Sequence, residues 1–256
     1  MSAAVQWAQE LAAWAIDPEL LAAAPESPYG FPAGLFGADR GAPVTHHAIA
    51  AVEPASVLDV GCGGGAASVP VGAPQLLGVD ESAELLARFA AAAGPGTRTW
   101  RGRWPDVAGQ VPAADVVVAA NVVYNVPDIA AFVSELTRHA RSRVVVELTD
   151  AHPWTSMAAL WRHFHGQERP GGPTAALFGE VLGELGLTPQ RETWPRTDPW
   201  RDAPPADVLA FTRRRLCLPA SRDGEVAAAM ERLAENRPRT GTTYWWAGTA
   251  APAEAT

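Results

Sequence analysis

Val57-Leu58-Asp59-Val60-Gly61-Cys62-Gly63-Gly64-Gly65 is the stretch on which the reading of this chain turns. A short apolar run enters a loop that only small, φ-permissive residues can build. Such a loop brings backbone N–H groups and a helix start close to a ligand. A second apolar run, 76–80, ends in Asp80, which lies 19 residues after Gly61 (80 − 61). At that separation a carboxylate can accept hydrogen bonds from ribose hydroxyls. A tight turn with a purely structural purpose is the alternative.

Working outward, short apolar runs alternate with helical patterns. Strands are expected over 56–60, 76–80, 97–100, 115–120 and 143–148, with helices over 82–93 and about 128–140. Continuous apolar runs in such alternation indicate a parallel sheet covered on both faces. Pro70, Gly72 and Pro74 shorten the helix after the glycine loop to one or two turns. After Thr149 the pattern predicts helices over 154–164, 174–187, 207–217 and 225–236, and strands over 191–194 and 242–246. Before the first strand, Trp7, Leu11 and Trp14 form an apolar helix stripe. The irregular segment 25–43 carries Tyr29, Phe31, Phe36 and Arg40, and reads as a packed cover or part of a pocket.

The chain has 256 residues, with 28 acidic and 20 basic side chains, a net charge of −8 and a pI near 5.2. All the basic residues are arginine. The overall negative field opposes nucleic-acid binding, which rests on phosphate neutralisation. No apolar run approaches the ~20 residues of a membrane span, and 1–16 lacks the basic start of a signal peptide. Cys62 and Cys217 give no disulfide framework and no zinc spacing. A cytoplasmic protein without membrane partners is the expectation.

Gly61, Gly63 and Ala66 also fit the dinucleotide pattern G-x-G-x-x-G/A, which would suit an NAD-dependent oxidoreductase. Asp59 discriminates. A carboxylate there would repel a pyrophosphate and attract a ligand carrying an ammonium and a sulfonium. Asp59-Val60-Gly61-Cys62-Gly63-Gly64-Gly65 resembles the D/E-x-G-x-G-x-G motif of class I S-adenosylmethionine-dependent methyltransferases. Leu77-Gly78-Val79-Asp80 looks like that family's acidic second-strand end. The run 115–128 resembles its fourth strand and following turn, and 144–148 falls where its fifth strand should be. The resemblance covers roughly 55–149 in motif, and the rest by topology alone.

The resemblance implies a Rossmann-like α/β fold. This is a mostly parallel seven-stranded sheet with helices on both faces and a late antiparallel strand at 242–246. One methyltransferase domain would fill 1–256: an N-terminal helical cap over 1–52, a cofactor-binding half over 53–150 and a substrate-side half over 151–256, with a helical insertion at about 204–237. S-adenosylmethionine would be the cofactor. Asp59, Gly61 and Gly63, with Cys62 and Gly65 in the same loop, would hold its methionine part. Asp80 would hold the ribose diol, Glu81 and Ser82 would border the adenine, and Asn121 and Val122 would lie beside the methionine amine. Relatives often place an acidic residue after the third strand. This chain has Arg101-Gly102-Arg103-Trp104 there, so Arg103 and Trp104 are assigned to the adenine by backbone contact or stacking.

Ligands of open α/β sheets bind outside the carboxyl ends of the strands. His152, at a strand-to-helix junction with an ordinary pKa near neutrality, is the foremost candidate base. Glu147 and Tyr124 are the other catalytic candidates. Asn121-x-x-Tyr124 has the spacing of the N-P-P-Y motif without its prolines. Tyr29, Phe31, Phe36, Asn125, Trp154 and Trp161 are the candidate acceptor contacts, and favour a hydrophobic or aromatic acceptor. His163 and His165 point to different helix faces, so no metal site is expected. Arg213-Arg214-Arg215 reads as a solvated face balanced by Asp202, Asp207 and Asp223, or as an anion or RNA contact.

The expected activity is methyl transfer from S-adenosylmethionine to an O, N or C atom of a small molecule, by a monomer or homodimer. The alternatives are an RNA methyltransferase using the arginine clusters, and a non-catalytic scaffold that binds the same cofactor.

Overall fold

The structure, a computed structural model, describes residues 1–30, 35, 42–196, 203–233 and 239–251. Seven strands form one sheet: β1 (Ser56–Val60), β2 (Gln75–Asp80), β3 (Arg98–Arg101), β4 (Ala114–Ala120), β5 (Ala140–Thr149), β6 (Gln190–Arg196) and β7 (Arg239–Ala247). Their order is β3-β2-β1-β4-β5-β7-β6. The first five pair in parallel, and β7 lies antiparallel between β5 and β6. The sheet is therefore mixed, with its antiparallel part at one edge. β1 is buried at every residue, as its unbroken apolar run requires when both faces are covered.

Nine helices are described: α1 (Ala3–Ala12), α2 (Pro18–Ala23), α3 (Pro43–Ala50), α4 (Ala83–Ala93), α5 (Ile129–His139), α6 (Ala158–His165), α7 (Ala175–Glu184), α8 (Pro205–Arg215) and α9 (Asp223–Leu233). Their starts carry the expected chemistry. The Ser82 hydroxyl accepts from the Leu85 N–H at 3.2 Å, and the Asp128 and Thr174 side chains do the same for Ala131 and Leu177.

Side chains alternate across each strand and so build two cores. Leu58, Val117 and Val146 face Trp7, Phe132 and Phe178 of α1, α5 and α7. Val57, Val116 and Val145 face Ile49 and Phe89 of α3 and α4. A third cluster joins α6, α8 and α9 through Trp161, Leu216 and Val226.

One local expectation holds and another is corrected. The helix after the glycine loop is only a 3-10 turn, Val69–Val71. Pro70 contributes no N–H, and Gly72 closes the turn in the left-handed region. The arginine run is not a solvated face. Arg213 and Arg215 are buried. Arg213 pairs with Glu26 and Asp223 at 3.1 and 2.9 Å, Arg214 donates to the Gly30 carbonyl, and Arg215 lies over the Trp154 and Phe211 rings. The run ties the N-terminal segment to α9. Of its expected partners, Asp223 serves, Asp207 is an exposed first-turn residue of α8, and Asp202 lies outside the described residues. No described helix is long and apolar enough to cross a membrane.

Candidate active site

The carboxyl ends of β1, β2 and β4 converge on the glycine loop. Gly61 and Cys62 donate to the Val79 carbonyl at 2.7 and 3.0 Å, which closes the loop over β2. Gly61 has φ +69°, and a Cβ there would stand 2.5 Å from a Val122 methyl. Only glycine lets the loop lie against the turn after β4. Gly63, at φ +52°, would meet nothing within 4 Å. Its bare backbone faces open space.

Asp80 ends β2 at the rim of that space. Its Oδ2 accepts from the Gly63 N–H at 3.0 Å and its Oδ1 from the Ser82 N–H at 2.8 Å. Two N–H groups thus fix a half-buried carboxylate beside an open cradle. This is the geometry expected for a group that receives a ligand hydroxyl. Ser82 spends its hydroxyl on the α4 cap, and Glu81 is exposed, its carbonyl taking a hydrogen bond from Arg101. Cys62 is buried, its sulfur packed against the backbone at Gly78.

Asp59 does not face the crevice. It is 1% exposed, and its carboxylate accepts from the Ser68 hydroxyl at 2.6 Å. Burial pushes its pKa up to about 7; Ser68 opposes the rise, and the nearby charges of Asp80 and Glu147 add to it. The expected direct attraction to a ligand is replaced by a role inside the wall. The strand's alternation turns Asp59 toward α3 and the turn after the loop.

On the adenine side the expected stacking by Trp104 is corrected. Trp104 is buried, with its ring edge-on to His139 at 4.8 Å, so the indole belongs to the core and does not stack on a ligand. Arg103 donates to the Asn125 carbonyl at 2.6 Å and so joins the β3 end to the turn after β4.

The three catalytic candidates are all committed within the fold. His152 is buried, stacked on Trp14 at 4.0 Å, and its Nδ1 accepts from the Trp154 N–H at 3.2 Å. Burial, then the charges of Arg169 and Arg215, lower its pKa to about 3. It is neutral at physiological pH, and the expected near-neutral base is corrected. Tyr124 donates to the Thr149 carbonyl at 2.5 Å, and burial drives its pKa upward. Glu147 is buried and accepts from the Thr45 hydroxyl at 2.6 Å and from the Asn121 amide at 2.9 Å.

Of the acceptor candidates, Tyr29 is 47% exposed and stacks on half-buried Trp154 at 6.1 Å. Asn125 is exposed. Trp161 is 0% exposed, under the guanidinium of Arg169 at 4.7 Å. Phe31 and Phe36 lie outside the described residues. Trp14, His152, Tyr124, Trp154 and Tyr29 form one aromatic wall beyond the end of β5. Among the described residues no group of His, Cys, Asp and Glu is arranged to hold a metal ion.

Thr45, Ser68 and Arg196 were not singled out by the sequence reading. Arg196 donates to the Asn121 carboxamide oxygen at 2.8 Å, across 75 residues of chain. No local spacing signals such pairs.

Comparison with known proteins bears on the fold. Residues 58–146 match a family model described as a methyltransferase domain. No curated protein matches the chain. Among solved structures, a methyltransferase of Thiobacillus denitrificans, in complex with S-adenosylhomocysteine, superposes with TM-score 0.54 at 16% identity, covering 82% of this chain and 93% of its own. The magnesium protoporphyrin IX methyltransferase of Synechocystis PCC 6803, with S-adenosylhomocysteine bound, gives TM-score 0.50 at 15% identity, with 80% of each chain covered. At such identities the likeness is one of fold.

Proposed function

From the premise that this chain carries a methyltransferase domain of the class I, S-adenosylmethionine-dependent kind, we propose that it transfers a methyl group to an O, N or C atom of a small molecule. The carrying observation is the open backbone at Gly63 beside the doubly oriented Asp80. These residues fit the cofactor. Gly61 and Gly63 would hold its methionine part, Asp80 its ribose diol, and the turn Asn121–Val122 would close on it from β4. When bound, S-adenosylmethionine supplies a methyl group on a sulfonium sulfur, already activated for displacement.

The chain's part is then alignment and exclusion of water, and good positioning can supply ~7–11 kcal/mol of a barrier. Glu147 has both carboxylate oxygens engaged, Tyr124 donates to backbone, and His152 holds its lone pair on a cap. None of the three is poised to take a proton from an acceptor. That favours an acceptor atom that is nucleophilic on arrival, its proton passing to water. The aromatic wall supports a hydrophobic or aromatic acceptor. Arg213, Arg214 and Arg215 are engaged within the fold, which disfavours the RNA reading.

Cofactor labelled in its methyl group, incubated with the protein and a small-molecule extract, tests this. Label should appear in a low-mass product. Label in the RNA fraction would contradict it. Asp80→Ala removes a charge-assisted acceptor and should weaken cofactor binding by roughly 1–3 kcal/mol, about five- to 150-fold. Unchanged affinity in calorimetry would move the ribose away from Asp80.

A further inference from the structure

Arg196 is the last residue of β6, at the same end of the sheet as the glycine loop. Its Nη1 donates to the Asn121 Oδ1, and the Asn121 Nδ2 donates to the Glu147 Oε1. The Glu147 Oε2 accepts from Thr45, whose hydroxyl also lies 3.1 Å from that of Thr243. A chain of hydrogen bonds anchored in buried wall therefore carries a guanidinium to the crevice. Asn121 stands at φ +59°, a left-handed conformation that asparagine tolerates. Its neighbour Val122 packs on Gly61. Arg196 is thus linked to the glycine loop through two residues, Asn121 and Val122.

An arginine presents five N–H donors in a planar fork. Among the described residues Arg196 gives one hydrogen bond, to a neutral amide. Glu147, whose charge acts on Arg196, spends both oxygens on Thr45 and Asn121. A half-buried guanidinium in this position is best matched by a ligand carboxylate, which it can grip with two parallel bonds.

The inference rests on the cofactor reading above. On that reading the amino-acid end of S-adenosylmethionine lies over Gly61 and Asn121, and that end carries a free α-carboxylate. We propose that Arg196 binds the cofactor's α-carboxylate, with Asn121 and Glu147 as the residues that position its fork. The cofactor's amino-acid end is then read from β6, at the far side of the sheet from β2.

Titration calorimetry on the full chain tests this with two probes, S-adenosylhomocysteine and 5′-methylthioadenosine. The second keeps the adenosine and the sulfur but lacks the amino-acid end. Wild type should bind S-adenosylhomocysteine the more tightly. Arg196→Gln should weaken S-adenosylhomocysteine about tenfold or more and leave 5′-methylthioadenosine within about twofold. Arg196→Lys, which keeps the charge without the fork, should fall between. Equal loss for both probes would reduce Arg196 to a support of the crevice and overturn the proposal, as would unchanged S-adenosylhomocysteine affinity. Failure of wild type to bind S-adenosylhomocysteine would overturn the cofactor reading itself. The retained affinity for 5′-methylthioadenosine reports that the variant is folded.

Discussion

Gly61→Ala should lose S-adenosylhomocysteine binding by thirtyfold or more while the chain keeps its fold. The new methyl group would stand 2.5 Å from Val122 at a backbone φ of +69°. The left-handed conformation costs roughly 1–2 kcal/mol for a residue with a Cβ. Overpacking adds about 1–3 kcal/mol. Relief comes from moving either the loop or the Asn121–Val122 turn, and both move cofactor contacts apart. Together the two terms give about 2–5 kcal/mol, and its lower end is already about thirtyfold in affinity. Gly63→Ala is the companion. It carries the same left-handed cost at φ +52°, but its methyl group meets no protein atom within 4 Å, so in space it intrudes only on the ligand. Calorimetric binding beside a thermal melt separates the two. A Gly61→Ala protein that binds as wild type would place the ligand away from this loop.

Asp59→Asn should change the pH dependence of stability by about 4 kcal/mol. In the folded chain the Asp59 carboxyl keeps its proton up to about 7, against 3.8 as its ordinary value. Between those pH values the folded state binds one proton more than the unfolded state, so stability falls as pH rises. Below the lower value the penalty is absent, and above the upper value it is complete. The difference, 7 − 3.8, corresponds to about 4 kcal/mol at 1.36 kcal/mol per pH unit. Asparagine keeps an oxygen for the Ser68 hydroxyl and has nothing to ionise. The variant's advantage over wild type should therefore grow from pH 4 to pH 8 in denaturant melts. His152 works with the opposite sign. Its lowered pKa removes stability as pH falls from 6.5 toward 3, so the wild-type profile alone is flattened, and the difference between the two proteins isolates Asp59. A difference that is constant across pH would show that Asp59 ionises freely.

The sheet's parallel half was legible because burial on both faces leaves unbroken apolar runs, and β1 runs over 56–60 as the pattern predicts. The glycine loop was legible because a close backbone approach admits few residues. What was not legible is which way a side chain points. Trp104 and Trp161 have the composition of a pocket and the burial of a core. Asp59 has the motif of a ligand contact, yet the strand's alternation aims it at Ser68. Arg213 and Arg215 read as surface because Glu26 and Trp154, which cover them, come from distant segments. Long-range pairs such as Thr45 with Glu147, across 102 residues, exist only once the fold brings them together.

Equilibrium dialysis with radiolabelled S-adenosylmethionine puts the greatest weight on the fewest assumptions. The crevice formed by Gly61, Gly63, Asp80 and Asn121 should take up one equivalent per chain, displaced by S-adenosylhomocysteine and indifferent to NAD. No saturable uptake, or displacement by NAD in its place, would contradict the assignment of this crevice.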